Sequence, residues 1–176
     1  MAFATASQTI GPYWHLLEDR SWADLTRFGA VGERIIVEGR LRDGDDAPVT
    51  DACVEIWQTS PRAEDFPGFG RCASDAEGWF RFTTLKPGAV AGNGNALQAP
   101  HLALGIFARG ILVGLRSRIY FAGEALNAAD PLLSSLGDAE RRASLIAETT
   151  APGVWRRDIR LQGGASGAPE TVFLDL

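Results

Sequence analysis

Short stretches of alternating apolar and polar residues, each closed by a glycine, proline or aspartate turn, set the limits on how this chain can fold. From Arg34, the residues Ile35, Val37, Gly39 and Leu41 fall on one side of a period of two, which belongs to a half-buried strand and not to a helix. Asp43-Gly44-Asp45-Asp46-Ala47-Pro48 follows as a turn. Residues 52–58, with Val54, Ile56 and Trp57, form a second strand, and residues 59–69 form a polar loop. Asp75-Ala76-Glu77-Gly78 is a hairpin-like turn into the alternating run Trp79-Phe80-Arg81-Phe82-Thr83-Thr84, which Lys86-Pro87-Gly88 stops. Residues 89–98 are rich in Gly and Asn and read as a loop.

Residues 99–109 read as an apolar strand with His101 at its beginning and Arg109 at its end. Gly110 permits a tight turn. Val113, Leu115, Ser117, Ile119 and Phe121 then share one face, with Gly114, Arg116, Arg118 and Tyr120 on the other. An antiparallel hairpin is expected from that pair. One helix is expected from Asp138, an N-cap residue with Glu140 in the first turn, through residue 148. Residues 155–162 and 171–174 read as closing strands. The predicted fold is all-β: an antiparallel β-sandwich over residues 34–176, with one short inserted helix, preceded by an irregular N-terminal arm over residues 1–33.

The arm carries Tyr13, Trp14, His15 and Trp22. That aromatic content should pack on something, either its own domain or a partner. At 176 residues and 45% hydrophobic the chain can bury a core of its own. No apolar run is long enough to span a bilayer, and the start has neither a basic nor an apolar signal region, so a cytoplasmic protein is expected. A net charge of −5 argues against nucleic acid as a partner. All but one of the 17 basic residues are arginine, a bias for which codon composition is explanation enough. Cys53 and Cys72 have no C-x-x-C spacing and are expected to be reduced, packed thiols.

Several chemistries lack support. Gly92-Asn93-Gly94-Asn95 has no following Lys-Ser/Thr and is not a phosphate loop. There is no G-x-S-x-G elbow. Asp43, Asp45 and Asp46 lack the bidentate glutamate of a calcium loop and read as a solvated turn. His15 and His101 are the only imidazoles, and Tyr13 and Tyr120 the only phenols. An autonomous metal site would need three or four of them to meet. A structural histidine at the end of a core strand is the simpler reading of His101.

Eight blocks of sequence resemble the intradiol ring-cleaving dioxygenases. They are Ser7-Gln-Thr-Ile-Gly-Pro-Tyr13, Glu55-Ile-Trp-Gln58, Phe69-Gly-Arg71, Asp75-Ala-Glu-Gly78, Phe82-Thr-Thr-Leu-Lys-Pro-Gly88, Ala99-Pro-His-Leu102, Arg118-Ile-Tyr-Phe121 and Asp158-Ile-Arg-Leu-Gln-Gly163. They occur in the family's order from residue 7 almost to the C-terminus. The resemblance implies a β-sandwich, agreeing with the alternation pattern. It also implies iron(III) held by two tyrosines and two histidines. The loop over residues 59–69 contains no tyrosine, Val90 stands where the second tyrosine is expected, and the His-x-His pair is reduced to His101 and Ala103. Val and Ala have no lone pair to give, and one imidazole cannot hold ferric ion against hydrolysis. No metal is expected on this chain.

Within the family the likeness is greatest to the iron-free, alpha-type chain of a heteromeric enzyme whose beta chain keeps all four ligands. This resemblance implies a beta chain as partner, Fe(III) bound by that chain, and a higher-order hetero-oligomer. It further implies cleavage of protocatechuate with O2 to 3-carboxy-cis,cis-muconate. Thr9, Gly11, Pro12 and Tyr13 would then line the partner's substrate pocket together with Arg109. Gly11 allows a close backbone approach to a flat ring, Tyr13 offers a flat face with a polar tip, and Arg109 suits an anionic substrate. Two plainer readings stand beside these: Arg109 as a surface charge at a hairpin end, and Tyr13 as an aromatic packed between subunits. A degenerate sandwich that binds a ligand or partner without any enzymatic role is the alternative for the whole chain.

Overall fold

A computed structural model describes residues 10–11, 13–92, 94, 96–164 and 167–175, with backbone alone at His15 and Leu17. Thr9 and Pro12, two of the expected pocket residues, lie outside the described residues. The fold is two sheets joined through one shared strand. The first sheet centres on β1 (Arg34–Arg42), flanked by β4 (Trp79–Leu85) and β10 (Val154–Arg156). The second runs β3 (Phe69–Ala73), β2 (Cys53–Trp57), β7 (His101–Phe107), β8 (Leu115–Phe121). Strand β9 (Ile146–Ala151) belongs to both. Ile146 and Ala147 pair with β8, and its later residues pair with β10. Short β11 (Ile159–Arg160) lies beside the end of β1. The β5–β6 ribbon (Val90–Ala91 with Leu97–Gln98) stands apart from both sheets.

Strand alternation sets the core. Ile35, Val37 and Leu41 of β1 point inward with Phe80 and Phe82 of β4. They meet Val54 and Ile56 of β2, Leu102, Leu104 and Ile106 of β7, and Ile119 and Phe121 of β8. Each fully buried side chain of this size contributes roughly 1.5–3 kcal/mol of transfer free energy. Cys53 and Cys72 are buried and unpaired, and desolvation pushes both thiols up to about 12. They are packed thiols, as expected from their spacing. Among the described residues no helix is long and apolar enough to cross a membrane.

The expected 89–98 loop contains the β5–β6 ribbon, the expected 155–162 strand is split into β10 and β11, and the structure departs from the sequence pattern at five further places. First, three pairings are parallel (β1 with β10, β1 with β11, β8 with β9), because the chain returns to β1 and β8 by long crossovers that the local alternation cannot reveal. Second, the Asp75–Gly78 turn forms as expected, with Gly78 in the left-handed region at φ 78°, but it does not close a hairpin. β3 pairs with β2 whereas β4 pairs with β1, so the turn carries the chain from one sheet to the other. Third, the helix from Asp138 is α2 (Ala139–Ala143) and stops early. Leu145 is fully buried and Ile146 enters β9, so pairing with β8 overrides helical propensity. Fourth, a second helix, α1 (Pro131–Ser135), precedes it, capped by Asp130 with Pro131 in its first turn. Fifth, residues 171–174 form no strand. They are tied by isolated hydrogen bonds, Thr171 N to Arg160 O and Leu174 N to Arg116 O.

The described part of the arm is fastened to its own sheet. Glu18 accepts from the Ala73 amide at 2.7 Å, and Leu25 is completely buried. A Cβ on Gly70 would sit 2.3 Å from Leu25 Cδ1 and 2.9 Å from Trp22 O. The glycine of the Phe69-Gly-Arg71 block is what lets the arm lie this close. Tyr13, Leu16, Phe28 and Val31 project from the arm with their side chains exposed.

Candidate functional site

The outer face of the β3–β2–β7–β8 sheet carries the residues singled out above. Strand register places Phe69, Trp57, Ala103 and Arg118 in one row across four strands. The neighbouring row toward the strand end puts His101 beside Tyr120. Val90 reaches this corner on the ribbon that follows β4. A cavity of about 130 Å³ there is lined by Trp57, Ser60, Pro87, Val90, His101 and Ala103 among others. The three positions expected to have lost their ligands, Val90, His101 and Ala103, therefore surround one space. A wider region of about 610 Å³ continues from it and adds Arg62, Gln98 and Arg118.

Gln58 holds the corner together. Its Nε2 donates to the carbonyls of Ser60 at 2.6 Å and Leu85 at 3.0 Å, and its Oε1 accepts from Thr84 Oγ1 at 2.7 Å. One buried amide thus joins the start of the loop after β2 to the end of β4, the two loops that frame the cavity. Gln58→Leu leaves two carbonyls and one hydroxyl unsatisfied. It is expected to lower stability by about 2–4 kcal/mol in urea unfolding, and a loss below about 1 kcal/mol would contradict this role.

His101 Nδ1 lies 2.7 Å from the Ala99 carbonyl. A carbonyl only accepts, so Nδ1 carries the proton and Nε2 keeps the lone pair of a neutral ring. Burial pulls the imidazole below its ordinary value, opposed by the Ala99 contact and reinforced by Arg118. Tyr120, on the face of β8 that the alternation gives it, is fully buried. It packs beneath α1 with Leu133, Leu145 and Val172. Its hydroxyl donates to Asp130 Oδ1 and accepts from Arg118, both at 3.0 Å. Burial pushes this phenol strongly upward, so it is committed as a neutral donor. Among the described residues no three His, Cys, Asp or Glu side chains converge on a point that could hold a metal ion.

Arg109 lies at the opposite end of β7, roughly 20 Å away at the usual rise per residue. Its Nε donates to Asp51 Oδ2 in an ion pair, and the Arg109 side chain is 62% exposed. Trp14 Nε1 donates to the Asp51 carbonyl at 3.0 Å. Asp51 is thus the point at which the arm and the hairpin end meet. Gly11 is in the left-handed region at φ 78°, a conformation favoured only for glycine. In the sequence Asp51 and Asp130 are not singled out, and Arg118 is named only as a strand residue and part of a family block. Asp130-Pro131 is a helix-start signature that could have been read, whereas Asp51 and Arg118 matter only once the register is known.

A family model described as Dioxygenase matches residues 17–158. The alpha chain of protocatechuate 3,4-dioxygenase from Pseudomonas putida is 36% identical over 197 residues, covering 97% of this chain and 96% of the relative. The corresponding alpha chain from Burkholderia cepacia is 37% identical, covering 98% and 97%. The beta chain from Burkholderia cepacia is 35% identical over 127 residues, covering 63% of this chain and 54% of the relative. Among solved structures, the dioxygenase domain of a carbohydrate-binding fusion from Streptomyces sp. SirexAA-E superposes with TM-score 0.62 at 23% identity, covering 89% of this chain and 96% of that one. Catechol 1,2-dioxygenase from Pseudomonas arvilla C-1 gives TM-score 0.61 at 19% identity, covering 85% and 60%. These two likenesses establish the sandwich fold.

Proposed function

This chain belongs to the intradiol dioxygenase family, and on that premise we propose that it is the iron-free, alpha-type subunit of a heteromeric protocatechuate 3,4-dioxygenase. The observation that carries the reading is the donor set at the corner of the sheet. Val90 and Ala103 supply no lone pair. His101 has one nitrogen bound to the Ala99 carbonyl, and Tyr120 is bound to Asp130. These residues do not fit a ferric ion, and no step of the reaction is assigned to this cavity. The iron and the ring-opening chemistry belong to the beta chain.

The contribution of this chain is binding and positioning. Arg109 Nε rests on Asp51, which leaves the other edge of the guanidinium for a substrate carboxylate. A planar fork of donors matches a carboxylate in two parallel hydrogen bonds. The arm is attached to the same Asp51 through Trp14, and Gly11 and Tyr13 lie just ahead of that anchor in the chain; Thr9 and Pro12 join them on the family resemblance alone. On this reading Asp51 is a positioning residue, and Arg109 with the arm closes the substrate pocket of the neighbouring chain and excludes water from it. The test is co-expression with a beta chain of the family that retains two tyrosines and His-x-His. The pair is expected to consume O2 and cleave protocatechuate, and this chain alone is expected to do neither. Turnover by the isolated chain would contradict the assignment.

A further inference from the structure

We propose that the cavity framed by Val90, His101 and Ala103 is a binding pocket for a small aromatic carboxylate, held by this chain without a metal. Its narrow end, of about 130 Å³, is close to the roughly 150 Å³ of an apolar cavity that accepts benzene. Trp57, Pro87, Val90 and Ala103 supply apolar surface there. The wider region shares Thr59, Ser60, Val90 and His101 with the narrow end and opens between Arg62 and Arg118. A ligand that filled both would be flat and apolar at one end and anionic at the other.

The charge of the mouth is uncompensated. No carboxylate lines either region among the described residues. Arg118 stands directly across the strand from Ala103 and spends one donor on Tyr120. The rest of its fork has no hydrogen-bond or ion-pair partner among the described residues. Arg62 also has no ion pair among them. Asp130 meets Arg118 through the Tyr120 hydroxyl. It is fully buried, and its two oxygens already accept from Ala99, Tyr120, Leu132 and Leu133. Two guanidiniums lining one region, with no carboxylate in its lining among the described residues, suit a carboxylate ligand. Ala103 is the side chain whose smallness keeps the narrow end open.

The experiment is calorimetric titration of the full-length chain, without its partner, with benzoate as the probe. Saturable one-to-one binding is expected, with Kd on the order of 1 mM. Acetate, which has the carboxylate without the ring, is expected to bind at least about tenfold more weakly. Ala103→Leu, which fills the narrow end from an outward-facing position, is expected to weaken benzoate at least about tenfold. Arg118→Gln is expected to weaken it by a similar factor. Absence of saturable binding up to about 20 mM, equal binding of acetate, or benzoate affinity unchanged in Ala103→Leu would each overturn the proposal. Because the readout is binding to this chain alone, its failure leaves the subunit assignment standing, and failure of the co-expression assay leaves this pocket standing.

Discussion

Asp130→Ala is expected to lower the free energy of unfolding by about 3–5 kcal/mol, the largest stability loss from a single side chain at this corner. Asp130 has no exposed surface. Its Oδ1 accepts from Leu132 N at 2.9 Å, Leu133 N at 3.1 Å and Tyr120 Oη at 3.0 Å, and its Oδ2 accepts from Ala99 N at 2.9 Å. Truncation removes the cap of α1, frees two amides at its start, strands a buried phenol and releases the residue that leads into β7. An unsatisfied buried donor costs about 1–3 kcal/mol, and the four are not additive. Asp130→Asn is expected to lose less, about 1–3 kcal/mol, because Oδ1 can be kept while the new amide group faces the Ala99 N–H. Urea unfolding with the slope held common to all three proteins gives the comparison. A loss below about 1 kcal/mol for Asp130→Ala would mean that this network does not hold the corner.

Arg109→Ala in the assembled enzyme is expected to raise the KM for protocatechuate about 10–100-fold, with kcat within about threefold of the parent and with the iron content unchanged. A hydrogen bond to a charged group contributes roughly 1.5–3 kcal/mol, and 1.4 kcal/mol is a factor of ten. The matching control is catechol, which lacks the carboxylate. Its KM is expected to be the same in parent and variant. Asp51→Ala is expected to move the protocatechuate KM in the same direction by a smaller factor, since it removes the support and not the contact. A rise in KM for both substrates alike would reduce Arg109 to a structural charge at the hairpin end. No change for either would remove it from the substrate pocket.

The strands were legible because burial in a sandwich follows a period of two. Ile35, Val37 and Leu41 announce β1 as clearly in the sequence as in the core. Tyr120 falls on the face of β8 that the alternation gives it, but its burial does not follow from that pattern. It sits on the outward side of β8, and only the α1 segment lying over that side makes it a core residue. The helix from Asp138 was drawn too long because Ser144, Leu145 and Ile146 suit either state locally, and the choice is made by β8, a strand distant in sequence. At the site, Val90, His101 and Ala103 could be found from the order of the blocks. Arg118 could not be placed beside Ala103 without the register of the β7–β8 hairpin. The Arg109–Asp51 pair spans 58 positions and leaves no local mark.

The subunit assignment stands on the claim that this chain holds no iron of its own. Elemental analysis of the full-length chain purified alone, beside the same chain co-purified with a beta chain, tests it most directly. The account predicts no stoichiometric iron in the isolated chain and, in the pair, iron in proportion to the beta chain. One iron per isolated chain would contradict it.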